Sequence, residues 1–279
     1  MIHRLFTMFL LGIAPWLSWA DPVPFNLQGI WASPNCEQSA ETMALFNGFY
    51  LWIGEETTFL AGIEAVDQPK GGWVRLKESD GYPVFLQLTP EGNLKETYAP
   101  DNAPADALPA DGWEQTTFAP CDGRLPRAEV LLHGEPLAVL KVVDSVYGTC
   151  QSNRQMCATT LFAGADVSGD GKLSTAELSR LVRVATYIAA VSGNDVIQNN
   201  ELAGAITATI PIAPVLSSAV VHSFDYDNDG VLSLKEMAQD RGTLFAEIEP
   251  NVGGQLGTRL NQMKEAIKPL GRMLEGFGR

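Results

Sequence analysis

Residues 225–236 read Asp-Tyr-Asp-Asn-Asp-Gly-Val-Leu-Ser-Leu-Lys-Glu (DYDNDGVLSLKE), and this stretch decides the fold of the C-terminal half. Asp225, Asp227 and Asp229 alternate, so a tight loop turns their carboxylates toward a common centre. Gly230 stands at the sixth place, where the chain must turn sharply and glycine takes φ > 0 without steric cost. Val231 offers a backbone carbonyl, Ser233 a hydroxyl, and Glu236 two oxygens from the start of the next helix. Six to eight oxygens in this order suit a hard divalent cation such as calcium.

A second stretch repeats the order. Residues 166–177 read DVSGDGKLSTAE, with Asp166, Ser168 and Asp170 at places one, three and five and Gly171 at six. Lys172 offers its carbonyl at seven, Ser174 stands at nine and Glu177 at twelve. Apolar residues flank both loops: Leu161, Phe162, Leu178 and Leu181 around the first, Val220, Val221, Phe224 and Met237 around the last. On these residues the C-terminal half resembles the EF-hand calcium-binding family. The resemblance implies a calcium cofactor held by Asp166, Ser168, Asp170, Lys172 and Glu177, and by Asp225, Asp227, Asp229, Val231 and Glu236. It also implies that Leu173 and Leu232, each at the eighth place, join a partner loop through a short β-bridge.

Asp166 and Asp225 lie 59 residues apart, whereas paired hands of that family repeat in the mid-thirties. Residues 190–201, AVSGNDVIQNNE, read as a worn copy that keeps Val191, Ser192, Gly193, Ile197 and Glu201. It loses the first carboxylate to Ala190 and the turn glycine to Asp195. The expectation is three hands, with the middle one vestigial, unable to bind calcium well, and paired with the last.

The chain has 279 residues, 46% of them hydrophobic, and a formal net charge of −14. That is enough for about two domains with a core. Strong acidity disfavours nucleic acid and anionic membrane as partners, since like charges repel. Arg4, the apolar run Leu5–Leu17 and small Ser18 and Ala20 predict a signal peptide over 1–20. The run is too short to span a bilayer, so no membrane span is expected after its removal. Export to the periplasm or medium makes the even set Cys36, Cys121, Cys150 and Cys157 a disulfide framework. The favoured pairing of the three is Cys36–Cys121 with Cys150–Cys157. One regular helix would hold the latter two about 10 Å apart, so a turn is expected near Gln151–Asn153.

Residues 21–124 alternate at a period near two and carry turn signals such as Asn47-Gly48, Gly71-Gly72 and Gly92-Asn93. Strands are predicted at Leu27–Ala32, Phe49–Ile53, Thr57–Val66, Trp73–Lys77, Pro83–Leu88, Leu94–Tyr98 and Trp113–Phe118. The Pro/Ala/Asp-rich stretch 99–111 reads as a long mobile loop. Leu27-Gln28-Gly29-Ile30-Trp31 weakly resembles the opening strand of small lipocalin-like barrels, in which Gly-x-Trp packs across the barrel floor. Residues 125–152 read as a helical connector, one helix ending at Gly134 and another starting at Pro136. His133 is expected at that helix end, facing water. Residues 256–274 place Leu260, Met263, Ile267 and Leu270 on one helical face.

The fold class is therefore α+β: a small antiparallel β-barrel or sandwich, then an all-α EF-hand domain over 153–279. No nucleophile elbow, zinc motif or phosphate loop occurs, so no enzyme activity is predicted. The function expected is an exported calcium-binding protein, calcium stabilising its structure or a surface for a protein partner. The alternative is a small-ligand carrier working through the barrel.

Overall fold

The computed structural model describes residues 22–69, 71–78, 83–100, 103–104, 107–192 and 196–239. The expected signal peptide, the centre of the middle loop and the helix over 256–274 lie outside them.

Eight antiparallel strands form a closed barrel: β1 (Gly29–Ser33), β2 (Glu41–Leu45), β3 (Phe49–Gly54), β4 (Thr57–Asp67), β5 (Val74–Glu78), β6 (Pro83–Leu88), β7 (Leu94–Tyr98) and β8 (Gln115–Pro120). Each strand pairs with the next, and β8 returns to β1. Closure gives every barrel strand two neighbours, which suits strands joined by tight turns. Asn47 and Gly48 make the β2–β3 hairpin, with Phe46 N–H donating to the Phe49 carbonyl at 3.0 Å. The long strand β4 serves two neighbours in turn. It pairs with β3 over Thr58–Gly62 and with β5 from Ile63 to Asp67, with a register shift between Ile63 and Ala65.

Inside the barrel, Leu27, Trp31, Met43, Leu45, Ile63, Leu76, Leu86, Leu94 and Phe118 form a core of buried side chains. Trp31 donates its Nε1–H to the Leu27 carbonyl at 2.8 Å. The opposite faces of β1–β4 are buried too. Ile30, Ala44, Phe49, Leu51, Ile53 and Leu60 pack against helices from the second half of the chain. The sequence prediction omitted β2 for this reason. Glu-Thr-Met-Ala-Leu has one β-branched residue and no polar alternation, because Thr42, Met43, Ala44 and Leu45 are all buried.

The helical part comprises α1 (Val130–Ser145), α2 (Thr149–Ser152), α3 (Arg154–Ala165), α4 (Thr175–Val191), α5 (Asn199–Thr209), α6 (Ile212–Phe224) and α7 (Leu234–Gln239). Short strands β9 (Lys172–Leu173), β10 (Ile197–Gln198) and β11 (Leu232–Ser233) lie in its loops. Contrary to expectation, the two predicted connector helices are a single one: α1 runs through Gly134 and Pro136. Proline removes one helical hydrogen bond, but the helix is held from both sides. Leu137, Leu140 and Val143 face the barrel, while Val139 joins the core of α3, α4 and α6. His133 is likewise corrected. It is 2% exposed, and its Nδ1 lies 2.7 Å from the Tyr187 hydroxyl on α4.

Disulfides join Cys36 to Cys121 and Cys150 to Cys157, with Cα separations of 5.6 and 4.7 Å. The first ties the end of the barrel sequence back to the loop after β1. The second spans the break between α2 and α3, where Asn153 leaves helical conformation and caps α3 by accepting from the Met156 amide at 3.0 Å. Both bridges are compatible with an extracellular or periplasmic location. Among the described residues, no single helix is long and apolar enough to cross a membrane.

Candidate functional site: two acidic loops and a third without a first carboxylate

The loop between α3 and α4 winds around its first residue. Asp166 Oδ1 accepts from the amides of Gly169 (2.6 Å) and Asp170 (3.2 Å) and from the Ser168 hydroxyl (3.0 Å), while Oδ2 accepts from the Gly171 amide (2.6 Å). Glu177 closes the loop. One of its oxygens accepts from the Ser168 amide at 2.9 Å, and the other accepts from the Ser174 amide and hydroxyl at 2.8 Å. Ser174 in turn caps α4 by accepting from the Glu177 amide at 3.3 Å, a reciprocal capping box.

The loop between α6 and α7 repeats this pattern at places one, five, six, nine and twelve. Asp225 Oδ1 accepts from the Asp229 amide (3.0 Å) and Oδ2 from the Gly230 amide (2.8 Å). Glu236 accepts from the Tyr226 amide (3.0 Å) and from the Ser233 amide (2.8 Å) and hydroxyl (2.7 Å). Positive φ falls at the same two places in each loop: Gly169 and Gly171 at 73° and 80°, Asn228 and Gly230 at 60° and 85°. Asparagine is the non-glycine residue that tolerates this region best, so Asn228 carries this turn in the sequence itself.

Asp225, Asp227 and Asp229 each present a carboxylate oxygen, all within 4.8 Å of one another. Among the described residues no other such group of three acidic or metal-binding side chains occurs. Mutual repulsion of three carboxylates at this spacing favours a compensating cation, and an all-oxygen set suits a hard one. Local hydrogen bonding favours the charged forms. For Asp166, burial works against ionisation, but the Gly171 and Gly169 amides outweigh it and hold the carboxyl below its ordinary range. For Glu177, burial is likewise outweighed by the Ser174 and Ser168 amides. The Ser233 amide and hydroxyl hold Glu236 low. The Lys172 ammonium, followed by the Val231 amide, does the same for Asp229.

The two loops meet through their eighth residues. Strands β9 and β11 pair antiparallel, with Leu173 opposite Leu232 and Lys172 opposite Ser233. Both leucines are essentially buried and join one core with Leu178, Val184, Val220 and Phe224. The middle loop is therefore not paired with the last, as the sequence spacing suggested. Its Ile197 and Gln198 form β10, which pairs with Thr58 and Thr57 of the barrel strand β4. That segment of β4 lies before the β5 pairing begins, so β10 extends the barrel sheet by a ninth strand. Asn199 completes the joint. Its amide donates to the Glu56 carbonyl at 2.7 Å, and its side chain donates to the Gly54 carbonyl at 2.9 Å.

A second polar group lies within the barrel, and nothing in the sequence reading pointed to it. Tyr50 donates its hydroxyl to Glu78, and Tyr98 donates to Glu96 at 2.8 Å. Glu78 and Glu96 are 7% and 3% exposed. Burial raises the Glu96 carboxyl to about 7, partly opposed by the Tyr98 hydrogen bond and reinforced by Glu41 and Glu78. Alternation in β5 and β7 sets these carboxylates at positions facing the interior. Sequence alone gave no reason to place charge there.

Comparison with protein-family models, curated proteins and solved structures gives no match to this chain.

Proposed function

We propose that this is an exported calcium-binding protein whose helical part is built from EF-hand units. Calcium would be held at Asp166–Glu177 and Asp225–Glu236. The observation that carries this reading is the likeness of the two loops at their first, fifth, sixth, eighth, ninth and twelfth places. Each wraps its backbone amides around a first-place aspartate, closes on a twelfth-place glutamate and pairs through its eighth-place leucine. The donors fit the ion, since each loop offers carboxylate, hydroxyl and carbonyl oxygens and no nitrogen or sulfur ligand. A solvated acidic turn would have no need of the matching glutamate closure.

In this reading calcium supports the packing of the helices or a surface for a protein partner, and no catalytic role is assigned. Ligands that bind only the folded state stabilise it by mass action. The middle loop is expected to bind calcium poorly or not at all, because Ala190 offers no carboxylate at its first place. Calorimetric titration with calcium tests the proposal. Two sites are expected in the native chain and none in the Asp166→Ala, Asp225→Ala double variant. The melting temperature should rise with calcium and fall with a chelator. Absence of binding heat together with an unchanged melting midpoint would overturn it.

A further inference from the structure

Lys172 stands at the seventh place of the first loop, where only a backbone carbonyl is required, so its side chain is free for another role. The β9–β11 pairing sets Lys172 opposite Ser233 and beside the last loop. Its ammonium meets Asp229 Oδ2, an ion pair that adds to the backbone and apolar contacts between the two loops. Asp229 is also one of the three aspartates whose oxygens converge within 4.8 Å. The Lys172 side chain is 43% exposed, so the pair is not forced by burial. An exposed pair of this kind contributes little to folding. Its charge nevertheless sits on the rim of the strongest negative cluster among the described loops.

We propose that Lys172 is an internal counter-cation that occupies Asp229 in the metal-free protein and must release it when a divalent cation enters the last loop. The inference rests on the calcium reading of the two loops. The last loop carries four carboxylates (Asp225, Asp227, Asp229, Glu236) and the first carries three (Asp166, Asp170, Glu177). With Lys172 on Asp229, the four negative charges of the last loop's ligands are offset by one, leaving the same ligand charge as the three carboxylates of the first. Lys172 therefore lowers the affinity of the last loop below what its ligand set would give, and levels the two sites. It also makes the first loop part of the second site's electrostatics.

The test is calcium calorimetry in an Asp166→Ala background, which leaves the last loop as the single site. Lys172→Gln is expected to bind calcium about three- to tenfold more tightly than its parent, the scale of one unit charge a few ångströms away in a largely aqueous setting. Lys172→Arg keeps the charge and should bind like the parent. Equal or weaker binding by Lys172→Gln overturns the counter-cation role while leaving the calcium reading intact. Absence of binding in the background and in the native chain alike removes both. The half-exposed position makes misfolding of either variant easy to detect, because circular dichroism and melting temperature should match the parent without calcium.

Discussion

Thr58 of the barrel donates its hydroxyl to the side-chain oxygen of Asn199 at 2.7 Å, across 141 residues of sequence. Thr58 is fully buried. Asn199 opens the helix that follows the loop without a first carboxylate, and it bonds Gly54, Glu56 and Thr58 at once. The two acidic loops pair with each other, while the loop ahead of Asn199 pairs with the barrel. Helix α4 leads from Glu177 at its first turn to Tyr187 and Val191, which pack on the barrel's outer face. One helix thus connects the first acidic loop to the joint.

The joint can be measured. Asn199→Ala leaves the Thr58 hydroxyl buried without its partner and is expected to cost about 1–3 kcal/mol of stability in urea denaturation. Thr58→Val removes the hydroxyl and keeps the shape. In a double-mutant cycle the two substitutions should therefore be non-additive by about 1 kcal/mol. Additive effects would show that this hydrogen bond does not couple barrel and helices.

Two buried groups give opposing pH dependences. Burial lowers the His133 imidazole from 6.5 to about 4. The unfolded chain therefore takes up this proton first as pH falls, and stability is lost between about pH 6.5 and 4. Glu96 is raised from 4.5 to about 7, so the folded chain holds a proton that the unfolded chain gives up. Its contribution is complete below about pH 4.5 and is lost as pH rises through 7. Glu96→Gln should remove the second dependence, making the variant gain on the native protein by about 2–3 kcal/mol at pH 8 relative to pH 4. Parallel stability–pH curves for variant and native protein would contradict the buried neutral carboxyl.

Two helical glycines should respond in opposite senses to alanine. A Cβ at Gly164 would lie 2.3 Å from Val142 Cγ1 and 2.9 Å from its Cβ, where α3 crosses α1. Gly164→Ala should cost about 1–3 kcal/mol through overpacking. At Gly204 in α5 a Cβ meets nothing within 4 Å. Gly204→Ala should add about 0.5–1 kcal/mol by reducing the freedom of the unfolded chain. Thermal melts of the two single variants, moving in opposite directions from the native midpoint, are the check.

Much of the molecule was legible because its causes are local. The acidic loops depend on residues within twelve places of one another, with amides at fixed offsets from Asp166 and Asp225 and positive φ at Gly171 and Gly230. Seven of the barrel strands show in alternation and turn residues, and the β2–β3 hairpin turns at Asn47-Gly48, where the dipeptide marked it. The break at Asn153 that lets Cys150 reach Cys157 also lies within a few residues.

Tertiary structure decided what no local pattern carries. Strand β2 hides because burial on both faces erases alternation. Helix α1 continues through Gly134 and Pro136 because two cores grip its opposite sides, outweighing the local stop signals. His133 is buried because Tyr187 on α4 meets it there. Which loop pairs with which is likewise a long-range outcome. Leu173 finds Leu232, and Ile197 finds the stretch of β4 that β5 leaves unpaired. The sequence by itself determined that DYDNDGVLSLKE makes a tight acidic loop. Only the packing of barrel against helices determined which loop stands opposite it, because backbone groups at a strand edge take whichever partner the surrounding cores bring within reach.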